Sequence, residues 1–164
     1  MLWSIFNIDI MKKKNTLLLF LCLFSLWAVA QEKKPVKIAC VGNSITYGSG
    51  IKNQFQNSYP GLLSQLLGEG YDVRNFGISA RVLLNKGDHP YMHEQKFRDL
   101  LAFQPDIVTI KLGTNDSKPW NWRYGKDFKK DLTEMLDILQ ELPSKPKIYL
   151  CLPVPAVKRN FGIN

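Results

Sequence analysis

Ser44, Gly77 and Asn115 each follow a short apolar run and sit among small or turn-forming residues. In Val41-Gly42-Asn43-Ser44-Ile45-Thr46-Tyr47-Gly48, the serine hydroxyl becomes a nucleophile when a neighbouring base takes its proton. Gly77, in Asn75-Phe76-Gly77, offers a bare backbone N–H that can approach a developing oxyanion closely. Asn115, in Gly113-Thr114-Asn115-Asp116, offers a side-chain amide to the same oxygen. Taken together, these residue types suit acyl transfer. Each also has a plainer reading: a turn or N-cap serine, a loop glycine, a turn asparagine. Asn115-Asp116-Ser117 is moreover a glycosylation sequon. Position favours the chemistry, because strands that run parallel bring all three segments to one edge of a sheet.

The elements that must hold them alternate along the chain. Val36 to Val41 reads as a buried strand. Tyr59 to Leu67 places Leu62, Leu63, Leu66 and Leu67 at helical spacing, with Pro60 tolerated in the first turn and Gly68 as the stop. Tyr71 to Phe76 is a second strand. His93 to Phe103 sets Phe97, Leu100 and Leu101 on one helical face. Asp106 to Leu112 is a third strand, preceded by the break Gln104-Pro105. Asp127 to Leu142 is an amphipathic helix carrying Phe128, Leu132, Met135, Leu136 and Leu139. Lys147 to Leu152 is a fourth strand. This βαβαβαβ order implies an α/β fold with a parallel sheet and helices on both faces. With no helix after the fourth strand to cover it, the sheet reads as cut short there.

Composition narrows the class. The 164 residues are 45% hydrophobic and 22% charged, as in an ordinary globular domain. The net charge of +8 is scattered among acids, with no basic run interleaved with aromatics, which argues against nucleic acid. Residues 11–30 have the pattern of a signal peptide. Lys12, Lys13 and Lys14 precede the apolar stretch Leu17 to Trp27, and Ala28-Val29-Ala30 is the cleavage site. The apolar run is short for a membrane span. The expected organisation is therefore a leader over 1–30, with Met11 as its start, and a domain over 31–164. It is exported to the periplasm or beyond and keeps no stable membrane anchor. Export allows disulfides, but Cys40 and Cys151 fall on strands with another strand between them, so two buried free thiols are expected. No Cys/His cluster has metal-ligand spacing, and no cofactor is expected.

Motif by motif, two large families are excluded. The Gly42 to Gly50 segment lacks the Gly-Lys-Ser/Thr ending of a phosphate loop. It also lacks the second glycine of a G-x-S-x-G elbow, where Thr46 stands. What Gly42-Asn43-Ser44-Ile45-Thr46, Gly77 and Gly113-Thr114-Asn115-Asp116 do resemble, in order and spacing, is three of the four sequence blocks of the SGNH hydrolases, also called GDSL esterases. The wording is most similar to secreted bacterial sialate O-acetylesterase and carbohydrate acetylesterase members. The resemblance implies a flavodoxin-like three-layer α/β/α sandwich. It also implies attack on an ester by Ser44 and an oxyanion hole formed by the N–H groups of Ser44 and Gly77 and the Asn115 side chain.

The chain departs from the pattern twice. Asn43 stands where the family usually has an aspartate. The last block, which carries an aspartate and the histidine base three residues later, is missing: no Asp-x-x-His occurs in the sequence, and its only histidines are His89 and His93. His89 lies in the long loop Ile78 to Pro90 on the expected active edge, where it is read as shaping a substrate loop. Trp120, Trp122 and Tyr124 follow the third block. They either stack on a sugar face or cap the next helix.

Three functional readings follow. One is a secreted serine esterase that removes acetyl or another small acyl group from a carbohydrate. Another is a lysophospholipase or thioesterase. The remaining one is a non-catalytic carbohydrate-binding module or an inactive fragment, favoured by the missing histidine.

Overall fold

The computed structural model describes residues 34–153 and Ile163, all but Lys34 in the unit that runs from Pro35 onward. The leader over 1–30 lies outside the described residues. Four strands form one parallel sheet: β1 Val36–Gly42, β2 Tyr71–Gly77, β3 Ile107–Lys111 and β4 Lys147–Leu150. Their spatial order is β2-β1-β3-β4. Gly42 is in register with both Gly77 and Lys111, so the first three strands end at one level.

β1 is central, and its residues from Ile38 to Gly42 are buried, as a strand covered on both faces must be. Side chains alternate across it. Ala39 and Val41 face a core with Val108 and Ile110 of β3. Ile38 and Cys40 point the other way. The first face is covered by α4, Gln95–Phe103, through Phe97, Leu100 and Phe103, and by α6, Phe128–Gln140, through Met135 and Leu139. Each such fully buried side chain contributes about 1.5–3 kcal/mol. The second face carries α3, Tyr59–Leu67, whose Tyr59 hydroxyl lies 3.3 Å from Thr109 Oγ1. Helix layers on the two faces of the sheet make an α/β/α sandwich.

The regular elements lie within two or three residues of their sequence-based expectation. The helix expected from His93 begins at Gln95, because Tyr91–His93 form a 3₁₀ turn and Glu94 is extended. Three four-residue helices had no periodic signal: α1 Ser44–Tyr47, α2 Gln54–Asn57 and α5 Pro119–Trp122. β3 separates Cys40 from Cys151, and both thiols are free. One expectation is corrected here. Cys40 is buried but Cys151 is exposed, because it follows edge strand β4, where Tyr149 and Leu150 are also open to solvent. Among the described residues, no helix is long and apolar enough to cross a membrane.

Candidate active site

The chain passes from β1 to β2 on one side and then to β3 on the other, so the direction of winding reverses between β1 and β3. In open α/β sheets this reversal leaves a crevice at the carboxyl ends of the two strands. Ser44 follows β1 and Asn115 follows β3, so the two residues flank that crevice.

Ser44 is the first residue of α1 and is half-buried. Asn43 caps the helix, its Oδ1 accepting from Ile45 N at 3.1 Å. Position one of a helix has no intrahelical partner for its own N–H, which leaves that donor available beside the hydroxyl. The short helix ends at Gly48, which adopts a left-handed φ of 86°. Asn43 itself is buried, and its Nδ2 has no hydrogen-bond partner among the described residues.

Gly77 does something other than the sequence suggests. Its single N–H donates to Asn75 Oδ1 at 2.9 Å, so it has no hydrogen left for an oxyanion. Asn75 Nδ2 in turn donates to Thr46 O at 3.0 Å, which ties the end of β2 to α1. A Cβ on Gly77 would come 2.3 Å from Tyr47 N. Gly77 is thus a close-packing residue that lets α1 sit against β2.

A donor that sequence reasoning passed over lies three residues on. Ala80 has φ 67°, a conformation rare for a residue with a Cβ. Its N–H makes no hydrogen bond among the described residues. Backbone held in such a region clusters at functional segments, though Asn53 and Gln104 adopt it here as helix caps. Its neighbour Ser79 bonds Ser49 through their hydroxyls at 2.6 Å, bringing this segment close to the end of α1.

Asn115 is buried, and its Nδ2 donates to Arg81 O at 3.1 Å, directly beside Ala80. An amide nitrogen carries two hydrogens, so one remains to give. The Asn115 carbonyl accepts from Asn121 Nδ2 at 3.0 Å. Asp116 is fully buried and does not face the crevice. Its carboxylate accepts from Leu83 N and Leu84 N, each at 2.8 Å, and so holds the long loop after β2. Burial pushes the Asp116 carboxyl above the ordinary carboxylate range, against the pull of those N–H groups. Asp131 of α6 anchors the same loop through Asn85 N at 2.8 Å. The loop is therefore a fixed wall, with Val82, Leu83 and Leu84 in the core.

His89 and His93 are both exposed. No hydrogen bond joins either to Ser44, and among the described residues the Ser44 hydroxyl has no bonded base. The two tryptophans have separate roles. Trp122 packs against Phe128 of α6, with ring centroids 6.0 Å apart, and a Cβ on Gly125 would come 2.9 Å from its indole. Trp120 is 48% exposed, and its Nε1 donates to Asp88 Oδ2 at 3.0 Å. A cavity of about 970 Å³ lies along the outer edge of β2, lined by Tyr47, Phe55, Arg74 and Lys96 among others. Neither Ser44 nor Asn115 lines it, so the strand ends rather than cavity size locate the site. Among the described residues, no group of three or more His, Cys, Asp or Glu is arranged to hold a metal ion.

The architecture is a doubly wound α/β sandwich with a serine and an asparagine at its reversal point. Residues 40–163 match the GDSL-like Lipase/Acylhydrolase family, and the chain belongs to that family. Over 152 residues it is 47% identical to a protein of Xylanibacter ruminicola described as an acetylxylan esterase; the match covers 82% of this chain and 32% of that protein. The chain thus spans about a third of the length of that relative. The fold is similar to that of the native aryl esterase of M. smegmatis, with a TM-score of 0.56 and 24% identity, over 70% of this chain and 62% of that one. It is likewise similar to AlinE4, described as an SGNH-hydrolase family esterase, with a TM-score of 0.54 and 23% identity, over 73% of this chain and 60% of that one.

Proposed function

We propose that this chain carries the nucleophile and oxyanion hole of an exported serine ester hydrolase that removes acetyl groups from a carbohydrate. The observation that carries the reading is the placement of Ser44 and Asn115 across the β1/β3 reversal, with Ser44 opening a helix. Family membership supports the ester chemistry. The 47%-identical acetylxylan esterase supports an acetylated glycan of the xylan kind over a sialate ester.

In this reading Ser44 Oγ attacks the acetyl carbonyl and gives up its proton to a base. The negative oxygen that forms takes hydrogen bonds from Ser44 N–H, Ala80 N–H and the second hydrogen of Asn115 Nδ2. Each such donor is worth roughly 10²–10³ in rate. The tetrahedral intermediate collapses, the sugar oxygen leaves with a proton, and water then releases acetate from Ser44. The base is the histidine of the family's last block, which residues 1–164 do not contain. Arg81, whose carbonyl accepts from Asn115, and Asp88, which the buried Asn121 links to Asn115, are polar, which favours a sugar over a long acyl chain.

Imidazole can stand in for the missing base. Residues 31–164 alone are expected to release little acetate from acetylated xylan, and added imidazole raises release in a Ser44-dependent way. Equal release by the wild type and Ser44→Ala at every imidazole concentration would overturn the reading.

A further inference from the structure

Trp120 is held from two directions. Its Nε1 donates to Asp88 Oδ2 at 3.0 Å. Asp88 Oδ1 accepts from Asn121 Nδ2 at 3.1 Å, and Asp88 N donates to Asn121 Oδ1 at 2.9 Å. The same Asn121 Nδ2 donates to the carbonyl of Asn115 at 3.0 Å. Asn121 is 1% exposed, so the surface pair Trp120 and Asp88 is anchored on a buried residue. It links an exposed indole to the peptide of the proposed oxyanion residue in three hydrogen-bonded steps.

An indole whose N–H is already taken and whose ring stays open to solvent has lost rotational freedom but kept its apolar face. A carbohydrate ring presents an apolar C–H face to such a surface, and a ring already fixed costs little further entropy on binding. Lys118 Nζ lies over the ring, 5.6 Å from its centroid, in a cation–π contact that a sugar on that face would displace. Trp122 is 53% exposed but has no such bracket: its ring leans on Phe128 and Gly125, and among the described residues its indole N–H makes no hydrogen bond.

We infer that Trp120 is a stacking platform for a pyranose ring of the glycan that bears the acetyl ester, and that Asp88 is the positioning residue that fixes its plane relative to Asn115. This rests on the carbohydrate-ester reading above. Its consequence is a preference for the glycan, not for the acetyl group. Trp120 acts on binding of the sugar chain, while Ser44 acts on the bond that breaks.

Binding is measured separately from hydrolysis, by affinity electrophoresis of residues 31–164 through gels containing acetylated xylan. Retardation of the wild type is expected, and equally of Ser44→Ala. Trp120→Ala weakens it by about tenfold, Trp120→Phe by less, and Trp122→Phe leaves it unchanged. Asp88→Ala weakens it, whereas Asp88→Asn, which keeps one acceptor oxygen for the indole, recovers part of the loss. Melting temperatures of all variants check that each is folded. No retardation of the folded wild type, or equal retardation of wild type and Trp120→Ala, overturns the platform. Loss on Asp88→Ala with no recovery in Asp88→Asn overturns the positioning role. Failure of the catalytic reading shows instead as acetate release that ignores Ser44, and it leaves the binding result standing.

Discussion

Asp116 Oδ1 accepts the backbone N–H of Leu84 at 2.8 Å across 32 residues of chain. Through this bond the block after β3 fixes the loop after β2, and with it the Ala80–Arg81 segment that borders Asn115. Asp116→Ala leaves the N–H groups of Leu83 and Leu84 buried and unpaired, at about 1–3 kcal/mol each. Asp116→Asn keeps one acceptor and costs less. Urea unfolding checks the order, with midpoints falling from wild type through Asp116→Asn to Asp116→Ala.

Gly77→Ala places a methyl group 2.3 Å from Tyr47 N, against backbone that cannot swing aside. Overpacking of this kind costs about 1–3 kcal/mol. Ala80→Gly acts in the opposite sense. A left-handed conformation costs a residue with a Cβ about 1–2 kcal/mol, partly offset by the extra freedom of unfolded glycine. Thermal melts are expected to show Gly77→Ala clearly lowered and Ala80→Gly unchanged or raised.

Asn43 offers one useful oxygen and one unpaired nitrogen. Asn43→Ala loses the cap of α1, a cost of about 1 kcal/mol. Asn43→Asp keeps the accepting oxygen, removes the buried unpaired donor and sets a negative charge at a helix start. We expect Asn43→Asp to match or exceed the wild type in stability at neutral pH. The gain requires the ionised carboxylate, so it disappears as pH falls through the pKa that this aspartate has in the folded state. Denaturant midpoints at neutral and acidic pH measure both effects.

The Trp120 bracket has its own pH signature. Partial burial works to raise the Asp88 pKa, but the Trp120 and Asn121 hydrogen bonds and nearby His89 and Lys118 outweigh it, and the carboxyl sits below its ordinary value. A depressed folded-state pKa means that the bracket's contribution is present above the unfolded value and lost as pH falls through the folded one. Retention on acetylated xylan should therefore hold steady down through the ordinary carboxylate range and weaken only below it. Weakening centred on the ordinary value would show that Asp88 is not engaged by Trp120 when the glycan binds.

Much of this was legible in the sequence because it depends on short-range pattern. Strand β1 is an unbroken apolar run, and α6 repeats Met135 and Leu139 at helical spacing, so burial period alone located both. Other features depend on contacts between distant residues. The Asp131–Asn85 and Asn121–Asn115 bonds satisfy backbone groups in loops, and no periodicity reports such pairings. Gly77 misled because a glycine at a strand end serves either close approach of a ligand or close packing of backbone, and both look the same in sequence. The asparagine two residues before it was the available clue, since such a side chain commonly takes the N–H two residues on. Cys151 is exposed because an edge strand is covered less completely than a central one.

The central claim is that Ser44 is the nucleophile of an acyl transfer assisted by Asn115. Residues 31–164, in which no described histidine is bonded to Ser44, should be slow to hydrolyse an acyl-enzyme as well as slow to form one, so the acyl group should persist once transferred. Residues 31–164 treated with an activated acetate ester at mildly alkaline pH, then digested and analysed by mass spectrometry, test this directly. An acetyl group is expected on the peptide containing Ser44, reduced at least tenfold by Asn115→Ala and absent in Ser44→Ala. Acetylation confined to lysines, with Ser44 unmodified, would contradict it.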